Sequence, residues 1–333
     1  VKKIWLKKSG KPEVLSLKEH PDIDQVGDHE ILVDVHYSGI NFADIMMRLG
    51  LYPGAPKKPY VPGYEVSGLV KKIGSAVKNF QVGDSVVGGV LFGGYASQVK
   101  IPSDLVFPVP KNLDLSQAAA LPVNWITAHT ALMDMGRVRS GDRVLIDAAS
   151  GGVGTLALQI LKNVGAKTVG LTSSPSKMDY IRSFGAEAYT HEEFRSNHSN
   201  EKFDLILNSQ GGRSVYDDYN RLLPAGRLIA YGMSSAVKKG KTDIFGLIKM
   251  MATMPRFSLI SMFDKNRGVF ALNALTLLQN SSFRQSLSAK WKTLEEQKLI
   301  PHVDKIFPAS EISEAHRFLE SKKARGKILI SWI

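Results

Sequence analysis

Hydrophobic and polar positions along the chain fall into two textures. Up to about residue 120, apolar residues come in short runs, many of them alternating. Glu30-Ile31-Leu32-Val33-Asp34-Val35-His36-Tyr37 has the period of two expected of a strand. Gly63, Gly68, Gly74, Gly83, Gly88, Gly89, Gly93 and Gly94 punctuate Val-rich segments. This predicts a small, irregular barrel with turns where glycine permits positive φ.

The texture changes near residue 123. Arg143-Val144-Leu145-Ile146-Asp147-Ala148 is a short, nearly continuous apolar run, as in a buried parallel strand. A glycine cluster follows, then a helical segment over 155–164 that stops at Gly165. Strands are predicted over 167–171, 203–207, 227–231 and 268–275, and helices over 176–184 and 214–223. The segment holding His191 and His198 reads as a polar loop. Strands alternating with helices imply an α/β, doubly wound parallel sheet. Residues 233–267 interrupt the rhythm with the Met-rich stretch Ile244-Phe245-Gly246-Leu247-Ile248-Lys249-Met250-Met251. It reads as an amphipathic helix over the core or as an adaptable lid or membrane-contact segment. The remainder is predicted helical, ending in the strand Lys327-Ile328-Leu329-Ile330.

Composition narrows the classes. A chain of 333 residues exceeds what one core usually supports and suggests two domains. Hydrophobic content of 44% and charged content of 22% exclude wholesale disorder. No apolar run reaches the roughly 18 residues of a membrane span. The segment Val1-Lys2-Lys3-Ile4-Trp5-Leu6-Lys7-Lys8 has too short an apolar core for a secretory signal. The absence of cysteine excludes disulfides, thiolate nucleophiles and thiolate-bound zinc, and is compatible with a cytoplasmic location. The net charge of +12 suits a polyanionic partner or a phosphorylated cofactor. Its densest clusters, Lys238-Lys239-Gly240-Lys241 and Lys322-Lys323-Ala324-Arg325-Gly326-Lys327, are short and match no nucleic-acid motif. They read as solvated surface.

The strongest local motif is Ala148-Ala149-Ser150-Gly151-Gly152-Val153-Gly154, between a predicted strand and a predicted helix. There the backbone turns tightly, approaches a pyrophosphate and offers it helix N-terminal N–H groups. Gly151 is the expected close-approach position and Gly154 the helix–strand packing position. Ala149 stands where the fingerprint's first glycine usually falls. The second strand ends in Thr172-Ser173-Ser174-Pro175-Ser176-Lys177, with no acid before Asp179. An acid there would bind the ribose 2′-OH of NAD. Ser173, Ser174 and Lys177 instead suit the 2′-phosphate of NADP, the lesser alternative being a helix cap and a solvated lysine.

Residues 39–88 hold Gly39-Ile40-Asn41-Phe42-Ala43-Asp44-Ile45-Met46-Met47-Arg48-Leu49-Gly50-Leu51-Tyr52-Pro53, then Pro62-Gly63-Tyr64-Glu65 and Val82-Gly83-Asp84-Ser85-Val86. With the phosphate loop, in this order, the pattern resembles the zinc-independent quinone oxidoreductase branch of the medium-chain dehydrogenase/reductase superfamily, over nearly the whole chain. Gly232-Met233-Ser234-Ser235, Asn266-Arg267 and Pro301-His302-Val303-Asp304 resemble the vesicle amine transport protein homologues of that branch. The resemblance implies a GroES-like catalytic domain (1–123 and 279–333) and a Rossmann cofactor-binding domain (124–278). It implies NADPH bound in the cleft between them, and a homodimer formed through the last Rossmann strand, about 268–275.

Zinc-dependent members hold the metal with a cysteine, a histidine and a second cysteine. The matching positions here are Asn41, Tyr64 and about Asn124, poor zinc ligands, so no metal is expected. None of the eight histidines forms an i, i+4 pair, and all read as structural or solvated. Without a Lewis acid, hydride transfer to a quinone or α,β-unsaturated carbonyl is favoured, because such acceptors delocalise their own charge. The resemblance places Asn41 and Tyr52 at the substrate, Asn41 as amide donor and Tyr52 as donor or general acid; each reads also as a structural residue. Asp44 and Arg48 are spaced to brace this segment as a local ion pair. The resemblance further assigns Phe42 and Ile45 to the nicotinamide side and Thr127 and Thr130 to the entry of the cofactor domain. It assigns Gly152 and Val153 to the pyrophosphate, Ser209, Gly232, Met233 and Ser234 to the later strand ends, and Lys322 to a phosphate. A tyrosine common in the family after the second helix is Glu192 here, which would repel a 2′-phosphate.

Two functional classes follow. One is an NADPH-dependent, zinc-independent reductase of quinones or enones, with a 2-alkenal or enoyl reductase as its rival. The other is a non-enzymatic protein that keeps the cofactor site and associates with RNA or an anionic membrane surface.

Overall fold

The computed structural model describes residues 1–52, 54–238, 241–242, 250–292 and 294–333. The chain divides into two compact units, Val1–Val123 with Leu275–Ile333 and Asn124–Lys238 with Thr242–Ala274.

The second unit is a six-stranded parallel sheet in the order Glu187–Thr190, Lys167–Thr172, Arg143–Ile146, Phe203–Asn208, Leu222–Ala230, Gly268–Ala271. In chain order this is 3-2-1-4-5-6, the doubly wound dinucleotide-binding topology, and it reverses direction between Arg143–Ile146 and Phe203–Asn208. Leu145, Val169, Phe203, Ile206 and Leu228 share a buried cluster with Phe194, Val215 and Tyr219 of the crossover helices. Strands covered on both faces explain the continuous apolar runs.

The first unit is a seven-stranded sheet. Its main path is Val303–Pro308, Lys327–Ser331, Glu30–Ile40, Glu65–Ile73, Ser85–Gly89, Val106–Pro108, and Gln98–Pro102 also pairs with Glu30–Ile40. A hairpin of Lys2–Leu6 and Leu15–Glu19 adds Ile4 and Leu6 to a core that includes Tyr95, Phe307, Ile312, Ile328 and Ile330. Residues near both ends of the chain therefore share one core.

Several expectations change. The polar loop is the strand Glu187–Thr190 followed by the helix His191–Asn197. Thr190 Oγ1 caps the Glu193 N–H at 3.1 Å, and buried Phe194 anchors the helix. The predicted 176–184 helix is a 3₁₀ turn, Pro175–Lys177, and a short helix, Met178–Arg182. The tail contains the strand Val303–Pro308, where helix was expected. Phe307 is buried there, under the Lys305 ammonium at 4.5 Å. Ile244–Lys249 of the Met-rich stretch lie outside the described residues; Met250 is buried and Met251 exposed. Downstream, the helix Leu259–Lys265 exposes Leu259 and Ile260 at 82% and Phe263 at 84%. Among the described residues no helix is long and apolar enough to cross a membrane.

Candidate functional site

In the first unit, the long strand Glu30–Ile40 ends at Asn41, the N-cap of helix Phe42–Leu49. The Asp44 carboxylate accepts from the Asn41 backbone N–H at 2.8 Å, fixing the strand-to-helix turn. The Asn41 side chain is held at both ends. Its Oδ1 accepts from Lys327 Nζ at 2.6 Å, and its Nδ2 donates to Glu65 Oε1 at 2.8 Å. Lys327 and Glu65 also pair at 2.5 Å, with side chains 3% and 0% exposed. Glu65 Oε2 accepts from the Val123 N–H at 2.8 Å. Gly39 makes room for the carboxylate, since a Cβ there would sit 2.4 Å from Glu65 Oε1. An ammonium only donates and a carboxylate only accepts, so the amide has one possible orientation. One Asn41 N–H remains outside this ring. Lys327, expected to be solvated with its basic cluster, is buried; it opens a central strand of the sheet.

Asp44 and Arg48 do not pair. Arg48 is buried and donates to Glu320 and to the Gly10 carbonyl. Asp44 is pushed up to about 7, chiefly by burial, against the Asn41 N–H and the Lys327 charge. His316 Nε2 lies 3.5 Å from the Tyr95 hydroxyl, and burial and then the Arg48 charge push the ring down to about 3. The two groups act oppositely on stability. The depressed pKa of His316 contributes stability above the ordinary imidazole range, and this is lost as the pH falls towards 3. The raised pKa of Asp44 leaves the fold most stable below the ordinary carboxylate range, and that is lost as the pH rises towards 7. Relative to wild type, His316→Gln should gain roughly 3 kcal/mol between pH 6.5 and 4. Asp44→Asn should gain stability in the other direction, between pH 4 and 7. Urea unfolding across this range checks both signs, and parallel curves for the three proteins would refute them.

Tyr64 is buried, its hydroxyl 2.7 Å from Met47 Sδ, and burial raises its pKa well above the ordinary phenol value. Tyr52 is half-buried, close enough to Tyr64 for its charge to be felt there. Of the other positions in this unit, Phe42 is half-buried, Ile45 fully buried and Lys322 exposed.

In the second unit, the loop after Arg143–Ile146 leads into helix Gly152–Val164. Gly151 is the N-cap and has no side chain to cap with. The N–H groups of Gly152, Val153 and Gly154 take no acceptor among the described residues. The nearest atom to a Cβ built on Gly151 is the Ala148 carbonyl at 3.3 Å, whereas on Gly154 it would meet Ala148 O and Ala149 at 2.5–2.6 Å. Gly154 thus lets the helix pack on the strand end, while the uncapped turn suits a phosphate. Gly152 also packs closely, against the Asn124 amide.

The neighbouring strand ends bring other predicted residues to the same edge of the sheet. Ser173 is exposed and Ser174 half-buried, with Ser174 Oγ 2.9 Å from Ser176 Oγ. Lys177, expected to be a solvated or phosphate-facing cation, is buried. Ser209 is buried and accepts the Ser234 N–H at 3.0 Å through its carbonyl; Gly232 packs on that carbonyl and Met233 is exposed. Thr127 and Thr130 are buried on helix Pro122–His129 and on the π-helical segment Thr130–Met135 that continues it.

At the centre of this edge is Asp147, which the sequence reading gave no role. Its Oδ1 accepts from His191 Nε2 at 2.5 Å and Gln210 Nε2 at 3.1 Å. Its Oδ2 accepts from the Ser209 N–H at 3.1 Å and from the Ser209 hydroxyl. Burial alone would raise its pKa. The bond and charge of His191 and the bonds from Ser209 and Gln210 hold it below the ordinary carboxylate value.

The donor set does not fit zinc. At the three expected positions stand two amides and a phenol, one amide oxygen already bound to an ammonium. No group of three or more His, Cys, Asp or Glu could hold a metal ion among the described residues.

Comparison with known proteins agrees with this architecture. Residues 27–111 match the family described as alcohol dehydrogenase GroES-like domain, and residues 184–330 the family described as zinc-binding dehydrogenase. The zebrafish (Danio rerio) synaptic vesicle membrane protein VAT-1 homolog is 33% identical over 314 residues, covering 91% of this chain. The chain spans 64% of that relative's length. Pig (Sus scrofa) quinone oxidoreductase is 30% identical over 332 residues, 97% of this chain and 95% of the relative. The structure of Escherichia coli quinone oxidoreductase complexed with NADPH superposes with a TM-score of 0.83 at 25% identity, over 99% of this chain and all of that one (100%). With near full-length likeness in both sequence and fold, the chain belongs to the quinone oxidoreductase branch of the medium-chain dehydrogenase/reductase superfamily, a family of oxidoreductases.

Proposed function

We propose that the protein is a metal-free, NADPH-dependent reductase acting on a quinone or an α,β-unsaturated carbonyl compound. The observation that carries this reading is the ring of Asn41, Glu65 and Lys327. It sets a buried cation on the amide of Asn41, the position that the resemblance matches to a zinc ligand of the metal-dependent members. Bound NADPH supplies the hydride. Asn41 offers its remaining N–H to the carbonyl oxygen on which charge develops. The Lys327 ammonium on the amide oxygen polarises that N–H, and Glu65 holds the amide against rotation. Tyr52 supplies a proton to the reduced acceptor, directly or through water. The uncapped turn Gly151–Gly154 receives the pyrophosphate, and the strand ends at Ser173, Ser209 and Gly232 frame the rest of the dinucleotide.

Purified protein should oxidise NADPH in the presence of 9,10-phenanthrenequinone, 1,4-benzoquinone or a simple alkenal, in preference to NADH and unaffected by a chelator. The ranking of acceptors separates a quinone reductase from an alkenal or enoyl reductase. Tight NADPH binding with no turnover on any of them would refute the enzymatic reading and favour a cofactor-binding protein with another partner.

The edge strand Gly268–Ala271, with Phe270 42% exposed, and the exposed apolar helix Leu259–Lys265 support association with a second copy of the chain.

A further inference from the structure

The buried carboxylate at the centre of the parallel sheet makes a use of His191 that the pyrophosphate loop does not explain. Parallel pairing sets Thr190 beside Thr172, so His191 is level with Ser173, where the second strand ends. That strand end is where such sheets recognise the adenosine ribose. From there the His191 side chain reaches Asp147, two strands away in the sheet order. Asp147 carries four hydrogen-bonding donor atoms around its two oxygens and can only accept, so His191 Nε2 must carry hydrogen. The other ring nitrogen, Nδ1, makes no bond among the described residues, and the side chain is 27% exposed. Nδ1 is therefore a lone-pair acceptor when the ring is neutral and an N–H donor when it is charged. A free ribose 2′-OH can donate to the first form. A 2′-phosphate needs the second.

Resting on the NADPH reading above, we propose that His191, fixed by Asp147, is the residue that distinguishes a 2′-phosphate from a 2′-hydroxyl on the cofactor's ribose, with a preference for the phosphate that weakens as the ring loses its proton. The ring is bonded to Asp147, whose charge is felt at Asp218 and Tyr231; Glu192 and Glu193 follow on its own helix, and Lys177 follows the neighbouring strand. Glu193 is engaged at the Thr190 N–H and Glu192 is exposed. When protonated, the ring offers a phosphate a cation one residue from the exposed Glu192.

The test is calorimetric binding of 2′,5′-ADP and 5′-AMP, which differ only in the 2′-phosphate, to the full chain between about pH 5.5 and 8.5. In wild type the preference for 2′,5′-ADP should fall about tenfold more over this range than in His191→Phe. The phosphate's own titration is common to all and cancels in the comparison. His191→Lys should retain the preference at the alkaline end, which a purely structural role for the ring would not produce. In wild type, an NMR titration of His191 should show protonation favoured by 2′,5′-ADP and not by 5′-AMP. Identical pH profiles in the three proteins, or a His191 resonance indifferent to the 2′-phosphate, would overturn the proposal and leave the cofactor reading standing. If neither nucleotide bound at any pH, the cofactor reading itself would fall.

Discussion

Lys327→Met should lower stability by about 3–5 kcal/mol. The methionine side chain fits the space but leaves the fully buried Glu65 carboxylate without its cation. Asn41 Nδ2 and the Val123 N–H still donate to that carboxylate but do not replace the lost charge. The double variant Glu65→Gln with Lys327→Met should recover most of the deficit, since it removes both charges together. Chemical denaturation of the two singles and the double measures the coupling directly. Additive losses would mean that the pair contributes nothing as a pair.

Asn41→Ala should lower kcat/KM for the electrophile by about 10²–10³, the usual effect of deleting a donor to a developing oxyanion. Binding of NADPH should be unchanged, because the loss is confined to the acceptor. Steady-state kinetics with the most reactive quinone, together with a fluorescence titration of the cofactor, separate the two. A variant with unchanged kcat/KM would make Asn41 a helix cap and nothing more. Lys327→Met should lower turnover in the same direction if it still folds, by releasing the amide that Asn41 presents.

The architecture was legible in the sequence wherever a periodicity ran long enough. The continuous apolar runs at 143–146, 167–171 and 203–207 led directly to a parallel sheet, and the glycine cluster after the first of them to the phosphate turn. Glu187–Thr190 was missed because four residues are too few to establish an alternation. Val303–Pro308 was missed because its one buried aromatic is shielded by a lysine rather than by apolar neighbours. The site was half legible. Asn41 came from a motif, but the partners that orient it did not. Lys327 lies 286 residues away and closes a basic run that reads as surface. A hint was present in Ile328-Leu329-Ile330, an uninterrupted apolar run typical of a central strand, whose first residue is also enclosed. Asp147 and His191 are 44 residues apart, and only the fold brings them together.

The strand Lys327–Ser331 runs between Val303–Pro308 and Glu30–Ile40, inside the sheet rather than at its rim. This reverses the usual order of vectorial synthesis, in which the part made first folds first. The parallel-sheet unit is complete once residue 274 has emerged from the ribosome. The first unit must wait for residues about 290 positions later, with Tyr37–Ile40 lacking a partner strand on one side and Glu65 without its counter-ion. The unit whose residues come first in this sequence is thus the later of the two to be completed.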